Sequence, residues 1–423
     1  MLRSYFYKLL AHYLTLYVRP GNSLLEVDSG TTGLACHLPG VRLVKPDGGS
    51  LPEPPEYIVL NGNVHYEKDV QSFFQGLHPL MNASTRVIVL YYSSLWKPLM
   101  QLATWLGVRR KQPELNWVSP EDIENFFRLS DLELVRQESK VLLPVYIPII
   151  SYLCNRYLAP LPFFRLFTMV NIAVARPVQP VRPTLSASIV VPARNEAGNI
   201  ENIIRRIPVM GPDDEIIFVE GNSTDNTWQV IQEMALKYGK ERRILIAQQE
   251  GKGKGDAVRK GYSLATRDIL MILDADLTVP AEDLPRFYRA ITEGKGEFIN
   301  GSRLVYPMEK EAMRFFNILG NKFFAMGFSF VLGQRFKDTL CGTKVLTRDN
   351  YWKLAAHRSY FGNFDPFGDF DLIFGAARLG LKIIEVPISY KERTYGSTNI
   401  QRWKHGVILL RMLVFAANKF KFV

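Results

Sequence analysis

The stretch that most constrains this chain is the apolar run Ile269, Leu270, Met271, Ile272, Leu273, which ends in Asp274, Ala275 and Asp276. Five uncharged apolar residues in a row read as a buried strand. Side chains alternate along a strand, so the spacing predicts that Asp274 and Asp276 leave from one face. In an open α/β sheet ligands bind beyond the carboxyl ends of the strands, where these carboxylates would stand. Hard oxygen ligands suit Mg²⁺ or Mn²⁺, held by one or two carboxylates together with substrate phosphates. A strand running out into a solvated acidic turn has the same sequence, so the surrounding chain decides.

That chain alternates strands and helices. Residues 188–192 read as a strand and lead through Ala193, Arg194, Asn195, Glu196, Ala197 and Gly198 into a helix over 199–207. Residues 215–220 form the next strand, followed by a turn over 221–227 and a helix to 238. A third strand at 244–246 precedes the Gly/Lys loop Gly251, Lys252, Gly253, Lys254, Gly255 and a helix over 256–265. Alternation at this spacing implies a mostly parallel sheet with helices on both faces. The Gly/Lys loop lacks the P-loop pattern, yet glycines admit close approach and lysines bring point charges to phosphates.

Upstream, residues 24–27, 57–60, 86–91, 132–135 and 170–175 read as strands separated by turn and helix signals. Ser119 before Pro120 marks a helix start. Pro177, Pro180 and Pro183 then fall within seven residues, a semi-rigid spacer. The expected organisation is therefore two doubly wound α/β domains, residues 1–176 and 186–405, joined by a linker at 177–185. An apolar and basic C-terminal segment at 406–423 would lie on a membrane surface.

Composition narrows the partners. Lys and Arg exceed Asp and Glu by 52 to 41, a net charge of +11 that favours phosphorylated substrates, acidic membranes or nucleic acid. No basic block is interleaved with stacking aromatics, so no nucleic-acid partner is expected. Cys36, Cys154 and Cys341 are too few and too scattered for a disulfide framework or a structural zinc site, which predicts a cytoplasmic protein. No run reaches the roughly 18 apolar residues of a spanning helix. The Phe-rich residues 313–332 and the apolar residues 407–417 predict peripheral attachment, on the cytoplasmic face of the membrane.

Three motifs taken together carry a resemblance: Val190-Val191-Pro192-Ala193-Arg194-Asn195-Glu196, then Val219-Glu220-Gly221-Asn222-Ser223-Thr224-Asp225, then Asp274-Ala275-Asp276-Leu277-Thr278. With Gly301-Ser302-Arg303, Asp338-Thr339-Leu340-Cys341-Gly342-Thr343, Glu385-Val386-Pro387 and Arg393-x-x-Gly396-Ser397, the region 186–405 resembles an inverting family 2 glycosyltransferase of the GT-A fold. The likeness is to dolichyl- and polyprenyl-phosphate sugar synthases. It implies a UDP- or GDP-sugar donor, a lipid-phosphate acceptor and Mg²⁺ or Mn²⁺ on Asp274 and Asp276. Pro192, Ala193, Asn195, Glu196 and Glu220 would frame the nucleotide, Asp276 would ligate the metal directly, Asp274 would contact the ribose or metal-bound water, and Lys254 would meet the donor phosphates. Glu220 stands where the family usually has Asp. Arg303 and Arg393 would clamp the acceptor phosphate, with Arg314 a third. Asp371 would serve as a base or cap its helix, and Asp369 stands beside it.

Residues 5–176 resemble a class I methyltransferase, a doubly wound fold that binds S-adenosylmethionine. Its glycine signature is incomplete: Glu26 and Gly30 are kept, while Asp28 and Thr32 replace the outer glycines that let backbone approach the cofactor. The expectation is a scaffold without cofactor. Rival readings are an active methyltransferase half, a soluble acceptor, and a non-catalytic scaffold.

Overall fold

The computed structural model describes residues 2–28, 33–45, 51, 53–107, 114–182, 184–306, 315–358, 368, 370–391, 395 and 402–423. The protein is mixed α/β and divides into two units, Met1–Val178 with Ala417–Val423, and Gln179–Ala416. Each is built on a sheet dominated by parallel strands.

The first unit contains β1 (Ser23–Val27), β2 (Arg42–Leu43), β3 (Tyr57–Asn61), β4 (Arg86–Tyr92), β5 (Leu132–Lys140) and β6 (Val170–Pro177). Their spatial order is β2-β1-β3-β4-β6-β5. β1 to β4 pair in parallel, and β6 runs antiparallel between β4 and β5. The apolar runs are continuous because both faces are covered. Tyr57, Val59, Ile88 and Leu90 pack under the helix Leu2–Leu14, whereas Ile58, Leu60, Val87 and Val89 pack against Phe74, Ile123 and Phe127. The helix Pro120–Leu129 starts where Ser119 and Asp122 form a reciprocal capping box.

The closing strand β5 is longer than its apolar core predicted, and it carries charge inward. Arg136, Glu138 and Lys140 are all buried, and Lys421 from the chain's end joins them. Glu138 pairs with Arg136 at 2.8 Å, Lys140 at 3.1 Å and Lys421 at 3.2 Å, and accepts the Tyr17 hydroxyl at 3.2 Å. Burial alone would raise the Glu138 carboxyl; the three cations outweigh it and hold it well below the usual carboxylate range. The expected surface segment 406–423 therefore divides. Residues 402–416 form a helix of the second unit, and Ala417–Val423 is tied into the first by Lys421 and by Phe422 stacked on Tyr157. An apolar stretch ending in lysines reads as a surface anchor, because a buried carboxylate 280 residues upstream leaves no local signal.

The second unit holds β7 (Ala187–Ala193), β8 (Glu215–Glu220), β9 (Arg243–Gln248), β10 (Ile269–Ile272), β11 (Phe298–Ser302), β12 (Lys344–Thr347) and β13 (Ile383–Pro387). The order is β13-β11-β12-β10-β7-β8-β9, with β12 antiparallel to both neighbours and the remaining pairings parallel. Strand order reverses on either side of β7, which makes the carboxyl ends of β7, β8 and β10 a topological switch point. The residues expected as linker are held at both ends: Val178 N–H donates to Asp131 O, and Arg182 N–H donates to Thr292 O.

The Phe-rich helix Phe315–Leu332 packs on the helix Arg402–Ala416, where a Cβ on Gly327 would meet Leu413 at 2.8 Å. Ala325, Phe328 and Leu332 are buried, but Leu319, Phe323 and Met326 form an exposed stripe, as do Val407, Leu410 and Val414. Among the described residues no helix is long and apolar enough to cross a membrane.

Candidate active site

The site is assembled at the switch point from loops that follow β7, β8, β9 and β10. Leu273 N–H still donates to Val190 O, but the strand proper stops at Ile272. Asp274 to Leu277 then form a turn, with Leu277 N–H donating to Asp274 O at 3.2 Å and Leu277 at φ +52°. The expectation that strand alternation places Asp274 and Asp276 is thus corrected: the turn places them. A left-handed conformation costs a non-glycine residue about 1–2 kcal/mol, and burial of Leu277 in the apolar core holds it there. Asp276 Oδ1 accepts both the N–H and the hydroxyl of Thr278, which fixes the carboxylate against its own loop.

Asp274 faces a cation. Lys254 Nζ lies 2.5 Å from Asp274 Oδ1, with each side chain about a quarter exposed. The helix expected from residue 256 begins at Lys254 itself, after Gly253 at φ +87°, and this brings the ammonium to the strand end. Burial pushes the Asp274 carboxyl up, and Lys254, with Lys344 and Arg303 behind it, brings it below its ordinary value. Gly342 closes this contact from the far side. A Cβ there would overlap both Asp274 Oδ2 and Lys254 Nζ, so any larger residue would displace the two charged ends.

The loops after β7 and β8 are stitched together. Ala193 is buried at the end of β7, Pro192 is half-buried beside it, and Ala193 O accepts Gly221 N–H. Asn195, at φ +55°, donates its N–H to Ser223 Oγ and accepts the Thr224 N–H at 2.8 Å. Glu196 is buried, with its N–H on Thr227 Oγ1 and its carboxylate on Asn199. Glu220, expected to touch the nucleobase, is buried and accepts Ser223 N–H on one oxygen and Gln248 Nε2 on the other. Both of its oxygens thus serve the turn.

The motifs around Arg303 converge on the same sheet edge. Asp338, fully buried, takes Arg303 Nε at 2.6 Å, Nη2 at 2.9 Å and the Arg303 N–H at 3.1 Å. Burial alone would lower the Arg303 guanidinium; Asp338 raises it, and is itself held down by the arginine against the opposing effect of its burial. The fork expected on a phosphate is therefore engaged with Asp338, and the guanidinium also lies 5.1 Å from the Tyr390 ring centroid. Glu385 anchors the loop by accepting Lys337 N–H and Asp338 N–H. The buried Lys344 donates to Cys341 O, while burial pushes the Cys341 thiol up to about 12. Among the described residues, Ser302 Oγ, Thr339 Oγ1 and Thr343 Oγ1 are buried here without a hydrogen-bond partner.

Asp371 lies in the first turn of the helix Phe370–Arg378, where its carboxylate accepts Arg358 Nε at 2.7 Å. Gly368 closely approaches Gly255 at the start of the Lys254 helix. Arg393, Arg314, Asp369, Gly396 and Ser397 lie outside the described residues, as do Gly30 and Thr32. Their neighbours are placed: Lys391 N–H donates to Thr278 O, and the Tyr395 ring packs on Gly198. Sequence reasoning assigned no role to Asp338, Gly342, Lys344 or Glu385, although three of them lay within motifs it quoted. The signal available was the lone acid of each motif, which a buried arginine or a loop of unpaired N–H groups requires.

Residues 188–354 match the family described as Glycosyl transferase family 2. Glycosyltransferase AglJ of Haloferax volcanii is 30% identical over 223 residues, covering 52% of this chain and 68% of that protein. The chain belongs to glycosyl transferase family 2. It is a glycosyltransferase, and further relatives carry related names. The dolichol-phosphate mannosyltransferase of Pyrococcus furiosus is 34% identical over 140 residues, 33% of this chain and 39% of that protein. The match to a dolichyl-phosphate hexose transferase of Haloferax volcanii is 28% identical and covers 47% of this chain and 79% of that one. Glucosyl-3-phosphoglycerate synthase from Mycobacterium tuberculosis aligns at 19% identity and TM-score 0.40 over 56% of this chain and 80% of that one.

A divalent cation suits the donor set of this glycosyltransferase. Carboxylate oxygens are the ligands Mg²⁺ and Mn²⁺ prefer, and an ammonium is already drawn onto Asp274. Among the described residues no three His, Cys, Asp or Glu side chains converge.

Proposed function

We propose that the second unit, of GT-A type, transfers a hexose from a UDP- or GDP-sugar to a polyprenyl or dolichyl phosphate with inversion. The observation that carries this is the Lys254–Asp274 pair at the switch point, with Asp276 two residues on and the Arg303–Asp338 pair behind it. Asp274 and Asp276 would hold Mg²⁺ or Mn²⁺, which when bound stabilises the charge of the departing diphosphate. Lys254, released from Asp274, then turns its point charge to the donor phosphates. Pro192, Ala193, Asn195 and Glu196 line the nucleotide, and Glu220 shapes that pocket through its turn.

An acceptor phosphate is anionic at neutral pH, so it attacks the anomeric carbon without a strong general base; orientation matters more. That work falls to Arg393, with Arg314 as a second candidate, because the Arg303 fork is engaged by Asp338 and positions the 338–343 loop instead. Asp371, bound to Arg358, supports the acceptor side as a helix-capping carboxylate. The exposed stripes on residues 319–326 and 407–414 fit peripheral contact with the membrane that carries a lipid phosphate.

The first unit we read as a methyltransferase-like scaffold without S-adenosylmethionine. Glu26 accepts the N–H groups of Leu34 and Ala35, and Asn63 Nδ2 donates to Val27 O and Asp28 O across the end of β1. These contacts engage the polar groups at the end of β1 with the chain itself, which supports the scaffold reading.

The acceptor is tested by product analysis with labelled UDP- and GDP-sugars offered to polyprenyl phosphate and to soluble sugars side by side. Label should enter the lipid fraction from one donor. Equal or better transfer to a soluble sugar would overturn the acceptor assignment.

A further inference from the structure

The first unit exposes a band of large apolar side chains that neither of its core clusters absorbs. Two segments form it, joined where Trp96 Nε1 donates to Phe167 O at 2.9 Å and Ser93 N–H donates to Met169 O at 2.8 Å. The helix Lys97–Trp105 buries Met100 and turns Leu99, Leu102 and Leu106 outward at helical spacing, with Trp105 80% exposed beside them. The second segment, residues 146–167, exposes Tyr146, Ile149, Tyr152, Phe163, Leu166 and Phe167, with Ile149 75% and Phe163 66% exposed. Single exposed apolar residues are ordinary, but a contiguous apolar face of this kind marks an interaction surface.

Ile149 sharpens the point. It sits at φ +64°, a conformation unfavourable for a β-branched residue, while its side chain is largely exposed to solvent.

The charge pattern selects the partner. Residues 91–113 and 141–176 contain no Asp or Glu, whereas the whole chain carries 41 over 423 residues. Their charged residues are all basic. Lys97 and Arg165 are exposed, and the Arg156 guanidinium lies over the rings of Tyr152 and Tyr157 at 5.5 and 5.6 Å. Aromatic rings settle at the headgroup level of a bilayer, and cations beside them are drawn to anionic lipid.

We propose that this face docks the first unit onto an anionic lipid surface, with the Lys97–Trp105 helix and residues 146–167 lying in the headgroup layer. The docking face lies in the first unit and shares no residue with the exposed helix stripes of the second or with the transfer site. Its failure would leave the transfer reading standing, because the assay contains neither donor nor acceptor.

The full-length protein is sedimented with vesicles of phosphatidylcholine, with and without phosphatidylglycerol. Binding should be stronger to the anionic vesicles, and Trp105→Ser with Phe163→Ser should lower the partition coefficient about tenfold or more. Ile149→Gly relieves the left-handed strain, so its melting temperature should hold or rise while vesicle binding falls. That variant separates lost docking from lost folding. Brominated acyl chains should quench wild-type fluorescence more than that of Trp105→Phe. Unchanged binding in all these variants would overturn the proposal. So would concentration-dependent self-association that the same substitutions abolish, which would make the face a protein interface.

Discussion

The two units use the same device and spend it differently. Each has a sheet dominated by parallel strands, with carboxylates near the carboxyl ends of those strands, where open α/β sheets take their ligands. In the first unit Glu26 accepts two N–H groups of its own following loop. In the second, Asp274 faces the side-chain cation Lys254 instead of a backbone loop. An ammonium on a four-carbon stem can move away from its partner, whereas a backbone N–H is replaced only by refolding the loop. The contrast separates Asp274, whose partner can swing away, from Glu26, whose partners are the backbone of its own loop.

The largest expected effect tests that contrast directly. Asp274→Asn should lower sugar transfer about a thousandfold, in keeping with losing several kcal/mol of charge stabilisation, with an unchanged circular dichroism spectrum. Glu26→Gln should transfer like wild type. Comparable losses in both would erase the distinction.

Next comes Asp338→Asn. It strands the Arg303 guanidinium in a buried site, which costs about 3–5 kcal/mol, read by chemical denaturation. The pH profile carries the same signature. Asp338 is held below its unfolded value, so its contribution is present above about pH 4 and is lost as pH falls through the folded pKa. The variant should lack that part of the acid limb.

In the first unit, Glu138→Gln should cost about 3 kcal/mol by leaving Arg136, Lys140 and Lys421 crowded without their counter-charge. Limited proteolysis should then release the residues after 416 earlier than in wild type. A variant as protease-resistant as wild type at its C-terminus would remove the tail from the account.

Gly342→Ala should act most locally. Its methyl group would push Asp274 and Lys254 apart, and a displacement of about 1 Å can cost about a hundredfold in rate. Melting temperature should move little. A rate equal to wild type would mean the Lys254–Asp274 pairing is not used.

Much of the fold was readable because buried parallel strands leave continuous apolar runs. Residues 57–60, 86–91, 188–192, 215–220 and 269–273 announced themselves this way, and Ser119-Pro120 announced a helix. What escaped has a common cause, partners remote in sequence. β5 carries Arg136, Glu138 and Lys140 inward because Lys421 comes from the far end of the chain. Arg303 reads as a phosphate clamp until Asp338, 35 residues on, is seen to fill its fork. The D-A-D turn depends on Leu277 accepting a left-handed conformation, which no propensity predicts for leucine. Proximity of the site motifs, by contrast, followed from the order of the strands they terminate.

The central claim is that the second unit moves a sugar with a divalent cation on Asp274 and Asp276. The direct measurement is label transfer from a nucleotide-sugar to polyprenyl phosphate by the wild-type protein, before and after chelation. Lipid-linked label should vanish on chelation and return with Mn²⁺. Lipid-linked label that forms at the same rate in excess chelator would contradict the account.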